Sequence, residues 1–528
     1  MASIASRASA TTSRGRNAAL LACAATMALA SPAWSGSYTA SDASSLNTAI
    51  ATAIGDGASS SIITLTNNIT LTSSSIAAPG KSITIDTGAF TLSRTYAVSS
   101  TTGVLTLTGP YGAGAYTFNG AILASGSGAG GSTAGQIGLY MFNQASAINN
   151  GAITGGAGGG AGGFGGSGVS LTTAATLVNN GTIIGGSATA TSGGAGAFMR
   201  NGAVLTNNGT IQGGNSATGS GGLGVDIGGP GTPMLLINNG TIRGGTGPAN
   251  GTGAGTGVFA RLGTGPLVNT GMIEGGPGAV AIETNSTNAN LILTNSGTIR
   301  AGAGNANAIT LSTLATTGTV TLELQAGSVI QGNVLANPTS ANDTLRLGGT
   351  ANASFDVSTI GPQYQNFDTF EKNGASTWTL TGTGTVATPW TIQQGTLQLG
   401  DGTATGSILG NVTNNATLAF NRSDNFTFAN VISGTGDISQ VGSGTTVLTA
   451  VNTYAGPTAV SAGTLAVNGS IASPVVTVAS GSTLLINGSI IGASAVSVGG
   501  TLKVNGSAAT STVTVQNAGT LGGNGTVG

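Results

Sequence analysis

The sequence predicts an all-β chain, and more specifically a parallel β-helix built from stacked coils. Three observations predict it: short β-branched segments recur, one phrase repeats at nearly constant intervals, and glycine accounts for 94 of the 528 residues without a Gly-X-Y period. Thr, Val, Ile, Asn and Gly are typical of strands and turns. Hydrophobic residues make up 39% of the chain, which is enough apolar surface for a core.

The first thirty residues have the organisation of a secretory signal peptide. A positive region precedes an apolar run over residues 18–30 and contains Arg7, Arg14 and Arg16. Ala28 and Ala30 form a small-x-small cleavage site, with residues 31–33 as an alternative. The apolar run is too short to span a membrane. We therefore predict a signal peptide over residues 1–30, and its removal would also take away the single cysteine, Cys23.

One phrase, of the form Leu-Thr-Asn-Asn-Gly-Thr-Ile, occurs six times in the middle of the sequence. The glycine after the Asn pair marks the copies at intervals of 26 to 31 residues: Gly151, Gly181, Gly209, Gly240, Gly271 and Gly297. A unit with slightly elastic spacing indicates one structural element plus a loop that accepts insertions. We expect these coils over residues 136–318, N-terminal coils over 31–135, and a related repeat over 319–528.

Each copy of the phrase has the pattern of two short strands separated by a turn. Apolar and polar residues alternate from Leu205 to Asn207, which is typical of a strand. The following Asn-Asn-Gly predicts a turn in which the glycine takes a positive φ. Another short strand is expected upstream, as at residues 257–260. The Gly- and Ala-rich stretch between Gly126 and Gly168 is expected to form surface loops.

Equivalent residues of successive coils are expected to stack. The isoleucines of the phrase would form an internal apolar ladder, and they are Ile183, Ile211, Ile242, Ile273 and Ile299. The asparagines would hydrogen-bond to one another along a turn, as side chains do in other stacked strands. This predicts a right-handed parallel β-helix, a solenoid of the pectin-lyase-like kind. The alternatives, a propeller or a sandwich, need longer strands and regular hairpins.

From about Thr319 the phrase changes to one that begins Gly-Thr-Leu, as at Gly463 and Gly500. Residues 367–374 followed by 377–382 resemble the passenger domain of bacterial autotransporters (type V secretion). Residues 452–458 leading into 461–465 resemble the autotransporter-associated β-strand repeat, and residues 519–528 are similar to the phrase near the end of such passengers. The resemblance is sharp from Thr319 onward and extends in style over most of the mature chain.

The resemblance implies export through the periplasm to the cell surface, the outer membrane or the medium. It implies a non-enzymatic, adhesin-like rod whose contacts would be a host surface, extracellular matrix or other bacterial cells. It also implies an outer-membrane β-barrel translocator as partner. Strands of that barrel type are not recognisable before Gly528, so we expect residues 319–528 to be truncated and the barrel to be encoded downstream.

The residue content limits the chemistry that the chain can perform. The absence of histidine excludes His-dependent catalysis and His-ligated metals, and we predict no catalytic residue, no metal and no cofactor. Without its first thirty residues the chain has ten basic and fourteen acidic residues, which argues against a nucleic-acid partner. Two other interpretations stay open: a secreted carbohydrate-active β-helix enzyme with an Asp or Glu pair, and a secreted S-layer-like structural protein. The densest acidic group is Asp356, Asp368 and Glu371, expected beside packed aromatics such as Trp378.

Overall fold

The structure is a computed structural model of the full chain. It describes residues 35–71, 75–76, 81–94, 105–108, 116–124, 134–229, 231–250, 254–261, 264–284, 291–311, 319–339, 342–492 and 494–528. The predicted cleavage residues Ala28 and Ala30, together with Cys23, lie outside the described residues. Within the described ranges, no helix is long and apolar enough to cross a membrane.

The N-terminal part pairs its strands in parallel, from β1 to β2, from β2 to β5 and from β5 to β7. Its elements are β1 Ser35–Ala40, α1 Ala43–Gly55, β2 Ser60–Leu65, β3 Ile69–Leu71, β4 Ser75–Ile76, β5 Ser82–Arg94, β6 Leu105–Thr108 and β7 Tyr116–Ala124.

The central part contains the six copies of the phrase and consists of very short strands. They are β8 Leu139–Phe142, β9 Ser146–Asn149, β10 Ala152–Thr154, β11 Val169–Leu171, β12 Thr176–Asn179, β13 Thr182–Ile184, β14 Ala197–Met199, β15 Val204–Asn207, β16 Thr210–Gln212, β17 Val225–Ile227, β18 Met234–Asn238, β19 Thr241–Arg243, β20 Val258–Ala260, β21 Thr264–Asn269, β22 Met272–Glu274, β23 Ile282–Thr284, β24 Leu291–Asn295, β25 Thr298–Arg300, β26 Asn307–Thr310, β27 Val320–Leu324, β28 Val329–Gln331 and β29 Asn333–Leu335.

The C-terminal part continues the stack with shorter coils and includes one 3-10 turn at Val357–Thr359. Its strands are β30 Thr344–Leu347, β31 Ala353–Asp356, β32 Tyr364–Gln365, β33 Thr369–Lys372, β34 Thr377–Thr381, β35 Thr383–Ala387, β36 Trp390–Ile392, β37 Thr396–Leu399, β38 Ser407–Leu409, β39 Val412–Asn414, β40 Thr417–Phe420, β41 Asn425–Phe428, β42 Ile432–Ser433, β43 Asp437–Gln440, β44 Thr445–Leu448, β45 Thr458–Val460, β46 Thr464–Val467, β47 Ser470–Ile471, β48 Val475–Val478, β49 Thr483–Ile486, β50 Ser489–Ile490, β51 Ala495–Val498, β52 Thr501–Val504, β53 Ser507–Ala508, β54 Thr512–Val515, β55 Thr520–Gly522 and β56 Thr526–Val527.

Each central coil contributes one strand to each of three parallel columns, which we call the first, second and third faces. The first face is β9, β12, β15, β18, β21, β24 and β27; the second is β10, β13, β16, β19, β22, β25 and β28; the third is β8, β11, β14, β17, β20, β23, β26 and β29. The described strands pair with one another in parallel, for example β12 with β15. The prediction of an all-β parallel solenoid is confirmed.

The core runs along the axis of the stack, because alternate residues of the first- and second-face strands are buried, as in β12 and β13. Along the second face, pairing places the isoleucines of successive phrases side by side, and all of them are fully buried: Ile153, Ile183, Ile211, Ile242, Ile273 and Ile299. Burying one such side chain contributes about 1.5–3 kcal/mol relative to exposing it. No coil could bury this surface alone, so stability comes from stacking.

One helix lies among the parallel strands of the N-terminal part, within the range expected to form N-terminal β-helix coils. The helix α1 begins after Asp42, whose carboxylate accepts from the backbone N–H of Ser45 in a capping box. Its buried residues follow helical spacing and join the solenoid core: Leu46, Ala49, Ile50 and Ala53. The apolar spacing and the capping residues of α1 are both present in the sequence. The many alanine and threonine residues of this segment made the helical pattern difficult to recognise.

Candidate functional site

A ladder of buried asparagines runs between the first and second faces. The side-chain Nδ2 of each of the first five donates to Oδ1 of the equivalent residue one coil further on, at 2.7 Å from Asn149 to Asn179 and 2.7 Å from Asn179 to Asn207, and Nδ2 of Asn295 donates to Oγ of Ser328 at 2.6 Å. The members are all fully buried: Asn149, Asn179, Asn207, Asn238, Asn269 and Asn295. Each amide also donates to backbone carbonyls, so a polar group in the interior keeps its hydrogen bonds.

A second asparagine ladder lies beside the first and faces the solvent. Here Nδ2 of Asn180 donates to Oδ1 of Asn150 at 2.8 Å, and Asn208 donates to Asn180 at 2.8 Å. Donation therefore runs towards the N-terminus in the exposed ladder and towards the C-terminus in the buried ladder. The adjacent Asn-Asn pair of the phrase supplies one residue to each ladder, with opposite polarity.

The marker glycines of the phrase do not adopt the conformation predicted for them. None of the six, Gly151, Gly181, Gly209, Gly240, Gly271 and Gly297, has a positive φ. Glycine is needed for close approach instead, since a Cβ on Gly181 would lie 1.9 Å from the carbonyl oxygen of Gly151. That carbonyl accepts from the N–H of Thr182 at 2.8 Å. Glycine therefore occurs at these positions because neighbouring coils leave no room for a side chain, and not because the backbone takes a positive φ.

A second line of glycines connects the second face to the third. Glycines from the end of each phrase alternate with glycines that precede the next third-face strand, and each backbone N–H donates to the carbonyl before it. We call this line the glycine seam: Gly156, Gly166, Gly186, Gly194, Gly214, Gly222 and Gly245. A Cβ on Gly194 would lie 1.9 Å from the oxygen of Gly166. The expectation of surface loops is wrong for β8, β9 and β10, which lie within residues 134–154, whereas residues 155–168 contain no strand.

The segments that connect the second and third faces border an open cavity of about 290 Å³. Four successive coils contribute to its lining. The lining residues are 164–165, Ser167, 192–195, 221–223 and Ala254, together with Phe198 of β14 and Asp226 of β17. Side chains tie these segments to one another. Oγ1 of Thr191 donates to the oxygen of Gly163 at 2.6 Å, and Oδ1 of Asn250 accepts from the N–H of Gly221 at 2.6 Å.

Ion pairs and cations stacked on aromatic rings line the third face near this cavity. Arg261 Nε donates to Asp226 Oδ1 at 3.0 Å, and its guanidinium carbon lies 4.5 Å from the ring centre of Phe259. The guanidinium carbon of Arg200 lies 4.2 Å from the ring centre of Phe198. Asp226 is 7% exposed as a residue, although it reaches the cavity. The pairing of Asp226 with Arg261 offsets the cost of burying the carboxylate.

The acidic group singled out from the sequence serves structural contacts. Asp356 accepts from the N–H of Ser358 at 2.9 Å and starts the 3-10 turn. Asp368 accepts from the N–H of Asp343 at 3.2 Å, and Glu371 accepts from Arg346 Nε at 2.8 Å. Within the described chain, no group of three His, Cys, Asp or Glu side chains could hold a metal ion.

A glycosidase-type carboxylate pair would have to face one cleft. Asp226 and Glu283 both stand on the third face, two strands apart on either side of Phe259. Only Asp226 belongs to the described lining of the cavity, and Glu283 is 5% exposed. Glu283 therefore does not belong to the described lining of the cavity that Asp226 reaches.

The aromatic residues of the C-terminal part are packed inside the coils. Trp378 and Trp390 are buried, and Nε1 of Trp378 donates to the oxygen of Gly348 at 2.9 Å. The expected packing of Trp378 is confirmed. Lys372 is also fully buried, and its ammonium donates to three carbonyl oxygens, those of Asn373, Gly374 and Gln394. Desolvation lowers the pKa of Lys372 to about 8.

Two segments of the C-terminal coils match a known family of repeats. The model of the passenger-associated-transport-repeat family matches residues 370–399 and residues 438–467. The two matches run from β33 to β37 and from β43 to β46, and they include the phrases that resemble passenger repeats. The chain carries an autotransporter passenger domain.

A curated autotransporter is similar to part of this passenger. The adhesin BmaC autotransporter of Brucella suis biovar 1 (strain 1330) is 32% identical over 158 residues. The aligned stretch covers 29% of this chain and 5% of that protein, so the passenger corresponds to a small fraction of the relative's length. No solved structure matches the passenger.

The sequence did not reveal the cavity of this passenger. Its lining comes from residues some 28 positions apart along the chain, which meet only after the coils stack. Phe164 is the one residue whose position in the sequence could have indicated the cavity. It is a lone phenylalanine in the glycine-rich stretch 155–168, where no strand is present for it to pack against. It is 55% exposed, whereas Phe118 and Phe420 are fully buried.

Proposed function

We propose that this passenger is a non-enzymatic, adhesin-like rod displayed at the bacterial surface. It would hold its binding surface away from the cell. The observation that supports this best is the unbroken parallel stacking of coils that carry passenger repeats. A solenoid in which each coil contacts only its neighbours keeps a constant cross-section at any length. Such a rod suits contact with a host surface, extracellular matrix or other bacteria.

The proposal extends to export. A signal peptide over residues 1–30, cleaved after Ala30, would direct the chain to the periplasm. An outer-membrane β-barrel translocator would then pass it to the surface. A mature chain without cysteine cannot be locked by disulfides in an oxidising compartment before it crosses. We propose the same division as above, with N-terminal coils over 31–135, phrase coils over 136–318 and passenger-repeat coils over 319–528.

The contacts of the acidic side chains support the non-enzymatic part of the proposal. The strongest candidates for a carboxylate pair are engaged in capping, backbone contacts or ion pairs, as with Asp356, Glu371 and Asp226. The resemblance to a protein named as an adhesin supports a binding role instead.

Surface display tests the proposal directly. The gene with its native downstream region would be expressed in a non-adherent bacterial host, and intact cells would be treated with antibody and protease. We expect surface labelling, protease accessibility and increased attachment to epithelial cells or matrix-coated plates. A host that expresses the gene without the segment for residues 136–318 is the matched control, since that product keeps the predicted signal peptide and the passenger-repeat coils. A product that stays in the periplasm would refute the display, and attachment equal to that of the control would refute the adhesin role.

A further inference from the structure

We propose that the 290 Å³ cavity over the third face binds a neutral oligosaccharide. This inference deepens the proposed adhesin role and rests on it, because it names the ligand class and the residues that contact it. Phe164 would supply the apolar stacking surface and Asp226 the main hydrogen-bond acceptor. The hydroxyls of Ser167 and Ser192 would add polar contacts.

The shape of the cavity agrees with a small ligand. Its volume lies near the lower end of the range for small-molecule sites, about 300–1,000 Å³. Its walls are fixed before any ligand arrives, since Oγ of Ser216 donates to the oxygen of Thr191 at 2.6 Å and Asn250 holds both Gly221 and Gly245. A preformed wall lowers the entropic cost of binding.

The exposure of Phe164 is the feature that points to a ligand. Its side chain is 55% exposed at the rim of the cavity, within a segment that is otherwise glycine, alanine and serine. An exposed aromatic ring in a concave site is an available apolar platform. A sugar ring matches it, because one side of the ring presents C–H groups and its edge presents hydroxyls.

The polar groups of the cavity favour a neutral ligand over a charged one. Asp226 is already paired with Arg261 through contacts of 3.0 and 3.4 Å, so the pair adds no net charge. A carboxylate can accept about four hydrogen bonds, which leaves capacity for ligand hydroxyls. Arg200 is occupied by the carbonyl of Gly228 and by the ring of Phe198.

The third face does not offer the usual means of holding an extended peptide. Peptides commonly add as a strand to an open sheet edge. At the cavity, β14 pairs with β11 on one side and with β17 on the other, and β17 also pairs with β20. Both edges of these strands are therefore occupied. A ligand that uses side chains and ring stacking fits this surface better than one that uses a backbone ladder.

The test measures binding of defined sugars to the purified full chain by titration calorimetry. The probes are cellohexaose, chitohexaose and mannohexaose, with heparin as a polyanion and an unstructured polyserine peptide as the peptide probe. The variants are Phe164→Ala at the cavity and Ile292→Ala as matched control, an exposed side chain on the first face. Phe164 and Ile292 are both exposed, at 55% and 45%, so both variants are expected to fold like the parent by circular dichroism.

We expect at least one neutral hexasaccharide to bind, with affinity reduced about tenfold or more by Phe164→Ala and unchanged by Ile292→Ala. The inference is overturned if no neutral sugar binds, if Phe164→Ala binds as well as the parent, or if only heparin or the peptide binds. Cells displaying the parent and Phe164→Ala chains separate this from the adhesin role. Attachment that survives Phe164→Ala counts against the cavity alone, whereas sugar binding without attachment counts against the adhesin role alone.

Discussion

The side-chain Nδ2 of Asn179 donates to Oδ1 of Asn207 at 2.7 Å, across the boundary between two coils and out of reach of solvent. Asn207 passes the same contact on to Asn238 at 2.8 Å. Each buried amide is thus both donor and acceptor in a line that follows the axis of the solenoid. A break in that line removes the donor of one buried Oδ1 and leaves one buried Nδ2 with only its backbone carbonyl acceptors.

The Asn207→Ala variant is expected to lose about 1–3 kcal/mol for each buried polar group left unsatisfied. The group left unsatisfied is Oδ1 of Asn238, which loses the amide of Asn207, whereas Nδ2 of Asn179 keeps the carbonyl oxygens of Gly181 and Thr210 as acceptors. Urea unfolding, followed by circular dichroism, measures the loss. The matched control is Asn208→Ala in the exposed ladder, whose partners can bond to water, and we expect less than about 0.5 kcal/mol there. Equal losses in the two variants would contradict the role of burial.

The Gly209→Ala variant tests the close approach of coils. The new Cβ would lie 2.0 Å from the oxygen of Gly181, so the coils must separate and stability should fall by about 1–3 kcal/mol or more. Gly55→Ala is the control, because Gly55 has no positive φ and nothing lies within 4 Å of the position that a Cβ would take there. We expect an unchanged thermal midpoint for Gly55→Ala. A lowered midpoint in that control, matching Gly209→Ala, would count against the steric explanation.

Stability should depend on pH through Lys372. Burial lowers the pKa of its ammonium from 10.5 to about 8, so the folded chain releases a proton at lower pH than the unfolded chain. Between these values the unfolded state binds more protons, and stability contributed by this group rises with pH. Lys372→Met should lose that rise, as measured by urea midpoints from pH 7 to pH 10. Lys503→Met, at an exposed position, should keep it; identical pH profiles for Lys372→Met and the parent would refute the assignment.

The Glu274→Gln variant should have a small and salt-dependent effect. Glu274 accepts from Arg243 Nε at 2.8 Å and from Arg300 Nη2 at 2.6 Å, on the outer side of the second face. Both arginine side chains are more than two-fifths exposed, so we expect a loss of at most about 1 kcal/mol. The loss should diminish in roughly 1 M salt, where charges are screened within about 3 Å. A loss that is insensitive to salt would indicate packing rather than charge.

The repeated positions were the part of the fold that could be predicted from the sequence. The spacing of Ile183 and Ile211 predicts a stack, and the strands around them pair in that register. The predicted role of Gly181 is wrong. Close approach between coils and a positive φ both require glycine, so the sequence alone does not distinguish them. Helix α1 was missed because a single copy of a pattern carries less information than six.

The cavity was beyond the reach of sequence analysis for a different reason. Ser192 and Asp226 are separated by a full coil, and they meet because the glycine seam brings the connecting segments together without side chains between them. The repeat spacing and the composition of the sequence show which residues recur in each coil. A cavity forms where successive coils differ, so these patterns do not predict it. Phe164 has no aromatic counterpart in the seam segments at residues 185–196 or 213–224.

Successive coils of the solenoid are joined by hydrogen bonds between parallel strands. This arrangement has a mechanical consequence for a rod under tension. A pull along the axis loads the hydrogen bonds between coils one row at a time, so the rod should yield by releasing single coils from an end. A coil of 26 to 31 residues adds about 5 Å to the folded rod but about 90–100 Å when drawn out. Anchored in flow, such a rod would lengthen in steps and limit the force on its attachment instead of breaking at once.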